Sequence, residues 1–498
     1  MNLDRRNFLS NTLAIGATVA AAGCINARNK LTGFAGAPMQ GFADKPFEKV
    51  RVGIVGIGYR GVHAVDGISQ LPNTEVVALC DLHQERVDHG NDVLVRKARR
   101  PKAKRTFVGP EAYKALCEWD GVDVVYVVTP WQLHAPVALY ALKSGKIALV
   151  EVPAAMTVDE CWALVETSEK YRRPCMQLEN CCYGESQMLG LSLVKQGILG
   201  EILHGEGGYN HDLREWCYGS FDPKIRFQHG YWNHWRLKYN AAHDGNQYPT
   251  HGLGPVCQYM NINRGDKMDF LVSLESDEAN HSGYARWKFP AGSWQARKKI
   301  AMGDMNTTLI KTAKGRSILV QHDVASPRPY SRINRISGTK GMLEGCYFSD
   351  SMNPVTSGCY CRFGWRENPD DAMHAFFNEK KIEEMRLKYR HPLWKQAGEL
   401  AKAVGGHGGM DFLMDLRWVY CLQNGLPLDM DVYDLASWCS ICELSERSVR
   451  SNSRPQDIPD FTCGGWKSAK PLGIEGIDMA KMDFRKVSAG AAENQMDI

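Results

Sequence analysis

Between Val50 and Val65 the chain reads VRVGIVGIGYRGVHAV, and Gly56, Gly58 and Gly61 set out G-x-G-x-x-G between an apolar run and a helical pattern. That arrangement restricts the fold more than any other feature of the sequence. Gly56 permits a tight turn, Gly58 lets a pyrophosphate approach the backbone, and Gly61 lets the helix pack close to the strand. The helix then presents its N-terminal N–H groups to phosphate. A second strand, EVVALCD, ends on Asp81, twenty residues beyond Gly61. A carboxylate there accepts hydrogen bonds from ribose hydroxyls and repels a 2′-phosphate, which predicts NAD rather than NADP.

Strand and helix patterns continue to alternate through VDVVYVVTP, WQLH, APVALYALKSGK, IALVEVP, TVDECWALVETSEKY and CMQLENCCY. Apolar runs of this kind suit parallel strands buried on both faces. Ligands of such sheets bind beyond the carboxyl ends of the strands. Thr129 to His134, Glu151 and Asn180 to Tyr183 are expected there, with His134 either capping its helix or touching the cofactor. Further on, Glu201 to Tyr209, LVSLES, GYARWKF and NTTLIKTAKGRSILVQHD read as strands with turns between them, which argues for an antiparallel sheet. PLWKQAGELAKA, MDFLMDLRWVYCLQNG and LASWCSICELSERSVRSN read as helices. The fold class is α/β: an N-terminal Rossmann dinucleotide-binding domain over residues 47–180, then an α/β domain with an open, mainly antiparallel sheet over 181–445. Residues 446–498 read as a tail on the surface.

The first 24 residues stand apart from this fold. Arg5 and Arg6 precede an apolar stretch that ends at Cys24 and falls short of the roughly 20 residues a spanning helix needs. The pair, with Phe8 and Leu9, resembles a twin-arginine export signal, although Asp4 and Ser10 depart from the usual pattern. AAAGC resembles a lipoprotein processing box, with an ordinary secretory cleavage site as the alternative. Export to the periplasm, or a lipid anchor at Cys24, is expected, and residues 25–46 read as a tether. A folded protein exported with NAD meets no soluble pool to exchange with, so its cofactor must be regenerated within each turnover. Sixteen irregularly spaced cysteines in a chain folded before export predict free buried thiols. A net charge of +4 over 498 residues gives no reason to expect nucleic acid, and Arg96 to Arg105 reads as a solvated basic loop, with a membrane-surface contact as the alternative. No metal-ligand spacing is visible, and oligomeric state is not legible.

The stretch from Tyr231 to His251 is dense in Trp, Tyr, His, Asn and Arg. Aromatic faces stack on sugars while polar side chains bond hydroxyls, so a carbohydrate fits; an aromatic cluster closing a domain interface is the alternative. His251 lies among Tyr248, His234 and His211, which favours function over structure. Four glycines flank His407 in GGHGG. They cost backbone entropy that a structural segment would avoid, so a flexible loop bringing an imidazole over a substrate is expected.

The order of elements, with E-x-P at Glu151 to Pro153, resembles the Gfo/Idh/MocA sugar oxidoreductases. Their usual motif is E-K-P, whose lysine helps deprotonate the substrate hydroxyl; here Val152 replaces it. MQLENCCYG, GEGGYNHDLR, YWNHWRLKYNA, NQYPTHGLGPV, RPYSRI and GGHGG together resemble glycoside hydrolase family 109, the NAD-dependent α-N-acetylgalactosaminidases, from about Val50 to about residue 445. The resemblance implies nucleotide contacts at Tyr59, Arg60, Asp81, Trp131, Gln132, Leu133, His134, Glu151, Val152, Asn180 and Arg236. It implies sugar contacts at Tyr209, Tyr248, Pro249, Thr250, His251 and Tyr330, and a catalytic role for His407. The chemistry expected is oxidation at C3, elimination across C1–C2, addition of water and re-reduction, with no net redox change. Within it His251 handles the C3 hydroxyl proton, Tyr183 or Tyr248 acts near C2, Glu151 orients the nicotinamide ribose or the substrate, and His407 serves C1 or shuttles water. An exported sugar oxidoreductase with an electron partner, and a non-catalytic carbohydrate-binding lipoprotein, are the competing readings.

Overall fold

The computed structural model describes residues 37–219, 230–348, 358–368, 370–473 and 475–482. The export signal and Cys24 lie outside the described residues. Six short segments become a parallel sheet: β1 (Val50–Val55), β2 (Thr74–Asp81), β3 (Arg105–Val108), β4 (Val124–Val127), β5 (Ile147–Val150) and β6 (Cys175–Gln177). Their order is β3-β2-β1-β4-β5-β6, so the topology reverses between β1 and β4. The glycine turn and Thr129 both leave the sheet at that reversal, which is where such sheets bind ligands.

The second sheet holds β7 (Ile202–Asn210), β8 (Met268–Glu275), β9 (Asn306–Thr312), β10 (Ser317–Asp323), β11 (Arg335–Gly338), β12 (Gly341–Phe348), β13 (Gly358–Trp365) and β14 (Gln456–Asp457). Its order is β13-β12-β11-β7-β10-β9-β8-β14. β7 and β10 pair parallel and the other neighbours pair antiparallel.

Two helices join the halves. Met410–Asn424 packs on the glycine-turn helix Tyr59–Ser69 and on β1, while Val432–Arg450 packs on helix Val158–Tyr171 and on β8. One buried apolar cluster accordingly runs from Val52 and Ile54 through Leu253 and Ile336 to Trp418.

Three expectations are corrected. GYARWKF is not a strand: Asn280–Lys288 is a helix that buries His281 and Ala285, four residues apart, and leaves Trp287 in solvent. The tether does not extend to residue 46. Met39 is buried and its N–H donates to Tyr433 Oη at 3.0 Å, Arg172 lies over the Phe42 ring, and Asp44 pairs with Arg173 at 2.6 Å. The tail does not begin at 446, because one helix runs to Arg450, β14 adds to the sheet, and Phe461 is buried beyond it. Thirteen described cysteines are free thiols, twelve of them buried.

Candidate functional site

Gly56 takes φ +97°, and a Cβ on it would meet the Val128 carbonyl at 2.5 Å. A Cβ on Gly61 would meet the Gly56 carbonyl at 2.0 Å, so turn, helix and the end of β4 close on one another only with glycine at both positions. Gly58 has nothing within 4 Å of its Cβ position and no side chain caps the helix behind it. That leaves a cradle open before a helix N-terminus, which suits a pyrophosphate. At the end of β2 the Asp81 carboxylate accepts from Ile57 N at 2.6 Å and His83 N at 3.0 Å, which fixes it beside the turn with acceptor capacity to spare.

Arg236 supplies a second fit. It is buried with its guanidinium 4.7 Å from the Trp131 ring centroid and 5.3 Å from that of Tyr248. Its Nη1 donates to Tyr231 Oη at 3.1 Å, while Nε and Nη2 find no acceptor among the described residues. Buried donors without partners are costly unless a ligand supplies the acceptors. The residues present fit NAD.

Arg60, Glu151 and Asn180 are joined through one set of hydrogen bonds. Arg60 Nε donates to Glu151 at 2.6 Å, its Nη1 donates to Asp411, and Asn180 Nδ2 donates to Asp411 at 2.6 Å. Of WQLH, Trp131 is buried while Gln132 and Leu133 are exposed. His134 straps two strand ends together: its ring nitrogens lie 2.7 Å from the carbonyls of Thr129 and Pro153, so neither is left for a cofactor. Tyr59 is exposed against His63 and Trp216, and Val152 is buried.

Facing this cradle is an aromatic cluster. Helix Thr250–Tyr259 meets β7 backbone to backbone, since a Cβ on Gly252 would lie 2.1 Å from Gly208 N and one on Gly207 2.2 Å from the Gly252 carbonyl. That contact sets His251 beside Tyr209, with Pro249 and Thr250 buried at the turn. Tyr248 stacks on Trp131 at 5.7 Å, and its ring lies 4.6 Å from Tyr209 and 4.8 Å from His251. Tyr330 stacks on His211 at 4.4 Å, whose Nδ1 is 3.0 Å from Tyr209 Oη.

Charges in this cluster are sharply set. Glu179, fully buried, accepts from His251 Nδ1 at 2.7 Å and from Cys181 N at 3.0 Å. Burial works to raise the Glu179 carboxyl, but His251 and the hydrogen bonds hold it below its ordinary value. Burial lowers His251 in spite of that carboxylate. Burial, with Arg236 and Arg332 close by, drives His211 down to about 4. The phenols of Tyr209, Tyr248 and Tyr330 are raised by burial and stay protonated as donors.

His407 arrives from the connection between helices Pro392–Val404 and Met410–Asn424, half-exposed, with Nδ1 2.9 Å from Asp411 Oδ2. Tyr183 is not brought to the cluster. Its hydroxyl donates to Asp429 at 2.9 Å, within the ion pair that Asp429 makes with Arg417, so the expectation of a role near C2 is corrected. Glu179, Asp411, His211 and Arg332 were not among the expected site residues. Glu179 stood inside MQLEN and Asp411 four residues after His407, but nothing in the sequence says which of many carboxylates turns toward a histidine.

Residues 50–178 match the family described as "Oxidoreductase family, NAD-binding Rossmann fold", and 183–468 match "Glycosyl hydrolase 109, C-terminal domain". A glycosyl hydrolase family 109 protein 2 of Shewanella sp. (strain ANA-3) is 43% identical over 95% of this chain and 99% of its own. An α-N-acetylgalactosaminidase of Bacteroides fragilis is 45% identical over 86% of this chain and 95% of its own. Two solved structures share the fold. An aldose-aldose oxidoreductase from Caulobacter crescentus has TM-score 0.56, 18% identity, and coverage of 82% of this chain and 100% of that one. A levoglucosan dehydrogenase in complex with NADH and levoglucosan has TM-score 0.54, 15% identity, and coverage of 83% and 100%. With an NAD-binding Rossmann half, an aromatic cluster against it, and this likeness along nearly its whole length, the chain belongs to glycosyl hydrolase family 109 and is a glycoside hydrolase.

Proposed function

We propose that the protein releases terminal N-acetylgalactosamine from glycans and completes each turnover with one retained NAD. The observation that carries this reading is the stack of Tyr248 on Trp131, because it makes the expected sugar motif and the expected nucleotide motif share one wall. The 45% identity to an α-N-acetylgalactosaminidase supports the choice of sugar.

NAD, held by the glycine turn, Asp81 and Arg236, supplies a reversible two-electron acceptor for C3 of the sugar, so that elimination across C1–C2 and addition of water end with no net oxidation. The chain's own residues manage protons around that exchange. His251 gives its Nδ1–H to Glu179 and so presents Nε2 to the C3 hydroxyl, replacing the lysine that Val152 displaces. Tyr248, a neutral phenol beside Arg236, acts near C2 as a hydrogen-bond donor to the oxygen that gains charge as the C2 proton leaves to solvent, and His407 serves the leaving oxygen and water at C1. Glu151, anchored by Arg60, orients the groups between them.

The test uses purified protein with no added cofactor and aryl glycosides of several N-acetylhexosamines. Release from N-acetylgalactosaminides without net NADH absorbance, with deuterium entering C2 in D2O, is expected. A free oxidised sugar accumulating instead would favour the oxidoreductase reading. EDTA is expected to leave the rate unchanged. Glu179, Cys181 and His251 offer ligand atoms within 4.8 Å of one another, but the acid and imidazole bond each other at 2.7 Å and burial keeps the thiol protonated. We also propose export by the twin-arginine route. Replacing Arg5 and Arg6 by lysine should trap active enzyme in the cytoplasm, and unchanged fractionation would refute that.

A further inference from the structure

Five consecutive residues around His407 have positive φ: Gly405 at +92°, Gly406 at +79°, His407 at 47°, Gly408 at +71° and Gly409 at +99°. A backbone of this kind has almost no local preference to hold a side chain in place. Within the segment, Gly409 N donates to the Gly406 carbonyl at 2.9 Å, which closes one turn and leaves the imidazole unfixed. What reaches the imidazole is Asp411 Oδ2, 2.9 Å from His407 Nδ1.

Asp411 is itself gripped from the other side. Oδ1 accepts from Asn180 Nδ2 at 2.6 Å, and Oδ2 accepts from Arg60 Nη1 as well as from His407. Asn180 follows β6, and Arg60 stands in the first turn behind the glycine cradle. Burial works to raise the Asp411 carboxyl, but Arg60 and His407 hold it well below its ordinary value. The carboxylate is therefore ionised, buried, and fixed in rotamer by two groups of the nucleotide half.

We infer that Asp411 is a positioning residue. It fastens the glycine-borne His407 to the nucleotide-binding half, with the proton on Nδ1 and the lone pair on Nε2 turned toward the substrate. A carboxylate behind a histidine selects tautomer and orientation in this way, and misplacement by about 1 Å costs on the order of 100-fold in rate. The inference rests on the assignment of His407 to proton transfer at C1. Asp411 touches no reacting atom and acts only through the imidazole.

The test compares Asp411→Asn, His407→Ala and the double variant in the mature full-length enzyme, reading kcat, KM and extracted NAD. Asp411→Asn is expected to lose about 100-fold in kcat with KM within about threefold and NAD at wild-type stoichiometry. The double variant is expected to be no slower than His407→Ala, because the two residues act as one unit. Multiplied losses in the double variant, loss of NAD from Asp411→Asn, or wild-type kcat in it would each overturn the proposal. Wild-type activity in His407→Ala would instead refute the C1 assignment beneath it. Should Asp411→Asn not fold, Asp411→Glu keeps the charge and shifts it by one methylene. It is expected to lose about tenfold in kcat with NAD retained, and unchanged kcat there would overturn the proposal.

Discussion

At the scale of single residues the site is two histidines, each backed by an acid, of which one pair is sealed and the other half-open. Glu179 is fully buried and bonds His251 Nδ1 directly, so its charge acts on the imidazole at hydrogen-bond distance. Glu179→Gln keeps the shape and removes the charge. It should lower kcat on the order of 100-fold, the scale of a misplaced general base, with extracted NAD unchanged. Full activity in steady-state assays would remove His251 from the mechanism. Tyr248→Phe keeps the stack on Trp131 and deletes only the phenol that burial holds protonated. It should slow deuterium entry at C2 more than it weakens substrate binding, and equal losses in both would assign Tyr248 to binding. Residues whose function lies in their own type were legible: glycines that admit backbone, an acid at a fixed distance, aromatics in a run. Glu179 and Asp411 were not, since a carboxylate becomes a partner only when tertiary packing aims it. Tyr183 misled for the same reason. It stands in the motif, yet its hydroxyl turns away to Asp429.

At the scale of elements, the glycine turn and the helices flanking His407 were readable because period and breakers agreed with the packing. GYARWKF shows where that agreement fails. Alternating Tyr284, Arg286 and Lys288 with Ala285, Trp287 and Phe289 has the period of a strand, but a strand would put Ala285 and Trp287 on one face, whereas Ala285 is buried and Trp287 lies in solvent. Helix Asn280–Lys288 exists because distant residues complete it. The Asp304 carboxylate accepts from Ala279 N and Asn280 N at 3.1 Å and from Asn280 Nδ2 at 2.8 Å, acting as a cap supplied from another part of the chain. Asp304→Ala should cost about 1–2 kcal/mol locally, the usual loss for a removed cap. Limited proteolysis reads this directly, and cleavage near residues 280–300 should quicken several-fold. Equal cleavage of variant and wild type would mean that packing by Tyr218 and Phe289 suffices without the cap.

At the scale of the molecule the two halves are one body, because helices from the end of the chain return to the nucleotide sheet. Sequence order suggested a boundary near residue 180 and could not show this return. Helix Met410–Asn424 begins at the His407 segment and lays Asp415 under β4, where Oδ1 accepts from Trp418 Nε1 at 2.9 Å and from Tyr126 Oη at 3.4 Å. Burial raises Asp415 from its ordinary 3.8 to about 7, against smaller lowering by Trp418 and Arg60. A carboxyl whose folded pKa exceeds its unfolded one stabilises the fold below the unfolded value and loses that contribution as pH rises to the folded value. The window is therefore pH 4 to 7, and the enzyme should be weaker at pH 8 than at pH 5 on this account. At about 1.4 kcal/mol for each tenfold in proton affinity, the ceiling is roughly 4 kcal/mol. Asp415→Asn retains an oxygen for both donors and carries no charge to bury. It should exceed wild type by about 1.5 kcal/mol at pH 5 and by up to roughly 4 kcal/mol at pH 8, read from denaturant midpoints at the two pH values. A variant equally destabilised at both would show that the joint between the halves requires the carboxylate itself, and that Arg60 rather than a proton balances it.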